Sequence, residues 1–209
     1  MAMTRRLIQL FLGLCLYGFS IALMVRAGLG LTSWDVFHQG LSERTGLSLG
    51  TIVIIVGAAV LLLWIPLRQR PGIGTISNVF MIGIAADVGL WLVSPATTLA
   101  AGWAMLLVGI FLNGVAGGAY IGAGLGPGPR DGLMTGFVAR TGGSIRLVRT
   151  VIEVLVVAVG WAMGGTLGMG TLLYAVAIGP ILHRMLPAFT IPDERPRMEN
   201  GSEPCAQLR

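Results

Sequence analysis

Arg146, Arg149 and Glu153 lie three and four residues apart inside an otherwise apolar stretch. On a helix that spacing puts all three on one face. Glu153 falls about 13 Å along such a helix, near mid-depth if the helix crosses a bilayer. An ionisable group at that depth is costly and faces protein or water. It is either half of a structural Arg149–Glu153 ion pair or a group that binds a charged solute or exchanges a proton. Asp87, in a second apolar stretch, has no charged neighbour at helical spacing; it is a proton site or a partner for a group on another helix. Asp35 and Asp131 each follow a Gly-Leu-Gly break. In the first turn of a helix a carboxylate stabilises the positive end of the helix dipole. In a broken membrane segment the same carboxylate also lines a path for a solute.

The elements that must carry these groups are membrane helices. Only 11% of the 209 residues are charged while 55% are hydrophobic, and the mean hydropathy is +0.83. A chain this small cannot hide that much apolar surface from water, so lipid is its solvent. Six segments reach the roughly 20 apolar residues needed to span: 6–26, 49–67, 72–94, 98–121, 144–164 and 168–186. With no water in the hydrocarbon to satisfy backbone groups, each is expected to be helical. Breaks at Pro66, Pro71-Gly72, Ser94-Pro95, Gly164-Gly165 and Pro187 mark their ends. Thr4-Arg5-Arg6 faintly resembles a twin-arginine signal, but the apolar run after it is long and leads to no clean cleavage site, so it reads as an uncleaved first helix.

All fourteen basic residues are arginine. With the N-terminus inside, twelve fall on the cytoplasmic side and only Arg26 and Arg44 outside, which places both termini in the cytoplasm of a bacterial cell, the chain lying in the plasma membrane. That distribution also explains the +5 charge better than nucleic-acid binding, for the arginines do not cluster with aromatic residues. The Pro-rich, charged segment 187–209 reads as a disordered tail. Two cysteines and two histidines supply neither a disulfide framework nor a metal site. No nucleophile elbow or phosphate loop is present, so neither an enzyme nor a cofactor is expected.

Shifted by 96 residues, the chain aligns with itself without a gap. Ala27-Gly28-Leu29-Gly30 falls on Ala123-Gly124-Leu125-Gly126, Asp35 on Asp131, and Arg44-Thr45-Gly46 on Arg140-Thr141-Gly142. Gly72, Gly74 and Thr75 meet Gly168, Gly170 and Thr171 in the same register. Residues 1–94 and 95–186 are therefore two copies of a three-span unit. An odd span count inverts the second copy relative to the first. Each connector after the first span holds about 11 helical residues, a rise of roughly 16 Å, too short to cross. It lies at the interface or dips in and returns, hinged at Gly28 and Gly30 or at Gly124 and Gly126. Asp35 and Asp131 are then expected at opposite mouths.

Gly126-Pro127-Gly128-Pro129-Arg130-Asp131-Gly132-Leu133-Met134, followed by Ser144-Ile145-Arg146-Leu147-Val148-Arg149-Thr150-Val151-Ile152-Glu153, resembles the YczE branch of the bacterial YczE/YyaS/YitT membrane proteins. Thr32-Ser33 departs from the Gly-Pro that the family more often carries before Trp-Asp. The resemblance implies that Asp35, Arg130, Asp131, Arg146, Arg149 and Glu153 are the charged positions that matter, and it points to small-molecule export. The expected function is a secondary transporter of a small solute, with Glu153 and Asp87 as candidates for proton coupling. A passive channel and a non-transporting membrane partner are the alternatives. For so small a transporter a homodimer is the expected assembly.

Overall fold

The computed structural model describes residues 2–192, and every regular element among them is a helix. The first half of the chain forms α1 (Ala2–Ala27), α2 (Ser33–Thr45), α3 (Leu49–Leu67) and α4 (Ile73–Leu92). The second half forms α5 (Leu99–Gly122), α6 (Pro129–Thr141), α7 (Ile145–Ala162) and α8 (Met169–Phe189). Long helices fall within a few residues of all six expected segments. Five of them are long and apolar enough to cross a membrane: α1 from Met3, α3, α4, α5 and α8. α7 is not among the five, because Arg146, Arg149 and Glu153 interrupt its 18 residues.

α8 runs past Pro187, the expected break, to Phe189. A proline removes only its own N–H, and the end of α8 is tied down by neighbours. Gln9 Nε2 donates to the carbonyls of Ala119 and Phe189 at 2.9 and 2.7 Å, and the Ile191 N–H donates to Gly122 at 3.1 Å. The rest of the expected tail, from residue 193, lies outside the described residues.

α1 and α5 form the centre of the bundle. Leu10, Leu14, Ile21 and Met24 of α1 are fully buried, and Leu106 and Ile110 of α5 pack with them. α4 lies along α1, and α8 lies along α5. The short helices then cross over: α2 packs on α7, and α6 packs on α3. An apolar surface that includes Ile55, Leu62, Phe80, Phe111, Trp161 and Val176 remains exposed, as lipid-facing residues must be.

Contacts recur at the 96-residue offset. Gly28 and Gly124 have φ of 67° and 68°, and Gly30 and Gly126 have φ of 122° and 125°, conformations that favour glycine. The loop at Leu29–Gly30 sits on the start of α8, where the Gly170 N–H donates to the Leu29 carbonyl at 2.8 Å. The loop at Leu125–Gly126 sits likewise on the start of α4, with Gly74 donating to Leu125 at 2.9 Å. Thr171 Oγ1 accepts the Leu31 N–H at 3.1 Å. The matching position after the second break is Pro127, which has no N–H, and there Thr75 donates its hydroxyl to the Pro127 carbonyl at 2.8 Å. Arg44 donates to the Ala162 and Met163 carbonyls that end α7, and Arg140 donates to Pro66 at the end of α3.

Glycines set the closest approaches. A Cβ on Gly50 would stand 2.1 Å from the Gly83 carbonyl oxygen, and one on Gly160 would stand 2.5 Å from the Phe37 backbone. Gly50→Ala and Gly160→Ala are therefore expected to cost about 1–3 kcal/mol each by forcing helices apart. Gly179→Ala, where a Cβ would meet nothing within 4 Å, is expected to cost nothing. Unfolding midpoints in detergent check the contrast.

Candidate functional site

The first turns of α2 and α6 meet in the middle of the bundle. Asp35 and Asp131 therefore do not occupy opposite mouths, because each connector carries its aspartate inward. α2 is capped by Thr32, whose hydroxyl oxygen accepts the Asp35 N–H at 3.2 Å. α6 begins at Pro129 after the N-cap Gly128, which has no side chain to cap its first turn. Both ends point positive helix dipoles at the same space.

Asp35 is 1% exposed. It accepts the Thr32 hydroxyl at 2.7 Å and His38 Nδ1–H at 3.2 Å, and the Arg130 guanidinium lies 3.9 Å away. Arg130 also stacks over the Trp34 ring at 4.9 Å, a cation–π contact. Trp34 and Arg130 are 96 residues apart, so the equivalent positions of the two connectors touch each other. Burial works to raise the Asp35 pKa, but the His38 hydrogen bond, Arg130 and the Thr32 hydroxyl outweigh it and hold the carboxyl below its ordinary value. Burial lowers the His38 pKa, and the attraction of Asp35 does not overcome it, so the ring is neutral at pH 7.

Both groups bind a proton less readily folded than unfolded, so stability rises with pH across their ranges. The protein is expected to be most stable above the ordinary histidine value of 6.5. It should lose stability as pH falls below that value through the depressed His38 pKa, and again from 3.8 downward as Asp35 is protonated. His38→Gln should flatten the upper limb of a pH–melting curve and leave the lower one.

Beside this junction is a cavity of about 370 Å³. Thr32, Ser33 and Trp34 line it from α2 and the turn before it, and Arg130 and Asp131 line it from α6. Arg149 and Glu153 of α7 form the far wall, joined by a 2.9 Å ion pair. Asp131, unlike Asp35, is exposed and lines the cavity; among the described residues it accepts only a 3.3 Å hydrogen bond from the Tyr120 hydroxyl. Behind it, Tyr174 donates to Asn113 at 2.8 Å and Asn113 donates to Ser20 at 2.8 Å.

Five of the six charged candidates are thus brought together: Asp35, Arg130, Asp131, Arg149 and Glu153. Arg146 is exposed and does not line the cavity. Asp87 lies apart from it and accepts the Ser48 hydroxyl at 2.6 Å and the Gly50 N–H at 2.7 Å, holding the start of α3 against α4. Asp87→Ala is expected to cost about 1–3 kcal/mol of stability and to leave solute binding unchanged; a melting curve and a binding isotherm separate the two.

A model of the DUF6198 family, a family of unknown function, matches residues 4–187. An uncharacterized protein of Haemophilus influenzae is 36% identical over 177 residues, covering 85% of this chain and 81% of that one. The uncharacterized membrane protein YczE of Bacillus subtilis is 35% identical over 179 residues, covering 85% and 83%. The uncharacterized protein YyaS of the same organism is 26% identical over 180 residues, covering 84% and 90%. The YczE resemblance read from the motifs is borne out. No solved structure matches the chain.

Proposed function

The chain belongs to the DUF6198 family, and on that premise we propose that this membrane protein is a secondary transporter, an exporter of a small solute. It crosses the bacterial plasma membrane six times as two inverted three-helix repeats, with both termini cytoplasmic. α7 is the sixth span: its 18 residues rise about 27 Å, and it stands 96 residues after α3 and packs on α2 as α3 packs on α6. α2 and α6 are re-entrant half-helices that enter from opposite faces.

The observation that carries this reading is the meeting of both first turns at one cavity walled by Arg130, Asp131, Arg149 and Glu153. Discontinuous helices whose positive ends converge on a central site are the way repeat transporters hold a charged solute. The arginines and helix ends attract an anionic or zwitterionic group, Asp131 receives its cationic part, and Glu153 exchanges a proton with the site when Arg149 turns to the solute. Rocking of one repeat against the other, hinged at Gly28, Gly30, Gly124 and Gly126, then exposes the cavity to each side in turn. Two copies assemble as a dimer.

The test is a flux and binding screen of the purified protein in liposomes, with wild type beside Asp131→Asn and Glu153→Gln. Saturable, proton-dependent flux that Asp131→Asn abolishes, and that Glu153→Gln uncouples from the proton gradient, supports the reading. A passive channel, which the meeting half-helices would also suit, gives flux without saturation or proton dependence. Absence of any flux together with a stable co-purifying protein points instead to a regulatory partner.

A further inference from the structure

The offset of 96 residues fails at one helix pair. α3 packs closely along α4, but α7 and α8, their counterparts, hardly touch. In the first half Gly50 meets Gly83, and Gly57 meets Val79. The counterparts of Gly50 and Gly57 are Arg146 and Glu153. The counterpart of Gly83 is Gly179, and it has nothing within 4 Å. The Asp87 clamp is missing as well: His183 stands at its position, and Ser144 makes no side-chain cap at the start of α7.

The cavity reaches this seam. Its lining passes from Arg149 and Glu153 on α7 to Tyr174, Ala175 and Gly179 on α8. Arg149 is 60% exposed and Glu153 33% exposed at the seam. Beyond them the surfaces are apolar, with Leu155, Leu172 and Val176 exposed. None of the most apolar stretch of α8 is buried. A charged pair beside an opening to lipid, flanked by hydrocarbon-facing side chains, matches a molecule with a polar end inside and an apolar end outside.

Resting on the transporter reading above, we infer that the ligand is an amphiphile with a zwitterionic head, seated in the cavity with its hydrocarbon chain leaving between α7 and α8. The lining carries two cations, Arg130 and Arg149, and two carboxylates, Asp131 and Glu153, so a head bearing both charges is matched better than a purely anionic one. Trp34 Nε1, buried in the lining, has no hydrogen-bond partner among the described residues and is a donor for the anionic part. At about 370 Å³ the cavity holds a head group but not a long chain, and the seam is where the chain fits.

The test uses the full chain in detergent with three probes: dihexanoyl phosphatidylethanolamine, its chain-free head glycerophosphoethanolamine, and dihexanoyl phosphatidylglycerol. Because a few methylenes withdrawn from water already account for a tenfold gain, the first should bind at least about tenfold tighter than the second. Zwitterion matching should also place it above the anionic third probe. Gly179→Trp, which fills the seam from a position with free space, should weaken the first probe about tenfold, the loss of about two buried methylenes, and leave the second unchanged; Gly179→Leu repeats the test if the tryptophan variant aggregates. Equal binding of head and amphiphile with no effect at Gly179 overturns the inference and leaves a transporter of a soluble solute. Tighter binding of phosphatidylglycerol overturns the zwitterionic assignment. No binding of any probe overturns the amphiphile, and saturable flux of a soluble solute in the liposome screen then shows that the transporter reading survives it. A dimer that Gly179→Trp splits into monomers makes the seam a subunit interface and overturns it too.

Discussion

Asp35→Ala is expected to lose about 3–5 kcal/mol of stability, the loss typical when one partner of a buried charge pair is removed. Asp35 accepts from Thr32 and His38 and faces Arg130 while almost wholly buried. Its removal leaves a hydroxyl and an imidazole N–H without their acceptor and a guanidinium without its nearby counter-charge. Asp131→Ala, at the matching position, should cost under about 1 kcal/mol, since an exposed carboxylate with one long hydrogen bond contributes little to folding. Ligand binding should respond in the opposite order, lost in Asp131→Ala at full abundance. Unfolding midpoints and binding isotherms on the same preparations check both halves. Equal destabilisation by the two substitutions would mean that the aspartates share one structural role.

The second large effect concerns α7. Glu153→Gln keeps the size of the side chain and its hydrogen bonding to Arg149, but removes the charge and the proton it carries. Uphill transport should fall by roughly 100-fold, the size of coupling that links two sites in one protein, while downhill exchange and membrane abundance stay near wild type. Arg149→Ala should lose binding as well, because Arg149 is one of the two cations at the cavity. Normal accumulation by Glu153→Gln would remove Glu153 from the coupling.

Much of this architecture was legible in the sequence because membrane solvent simplifies the reading. An apolar run of a given length has to be a helix, and a matched register of glycines has to mark matched turns. Gly30 and Gly126, or Thr75 and Thr171, carry enough local constraint to be seen at a distance of 96 residues. The crossing of α2 onto α7 and of α6 onto α3 was not legible, since hydropathy says nothing about which helix a connector leans on. That crossing turns two expected mouths into one junction. It is also why Trp34, His38, Tyr120 and Tyr174 do not stand out in the sequence as site residues: each looks like an ordinary apolar or capping residue until the partner half is in place. The one available signal was His38, three residues after Asp35 and so on its face of the helix. Asp87 reads from the sequence as a proton candidate, and only the approach of α3 at Ser48 and Gly50 gives it hydrogen-bond donors.

Alternating access at the cavity is tested most directly by the accessibility of one position. Ala175 lines the cavity from α8 and is exposed there. With Cys15 and Cys205 replaced by serine, Ala175→Cys in oriented vesicles is treated with a membrane-impermeant thiol reagent from either face. Labelling from each face, with saturating ligand or a proton gradient shifting the balance from one face to the other, is the predicted result. Labelling from a single face under all conditions, or unhindered passage of the reagent through the protein, would contradict it.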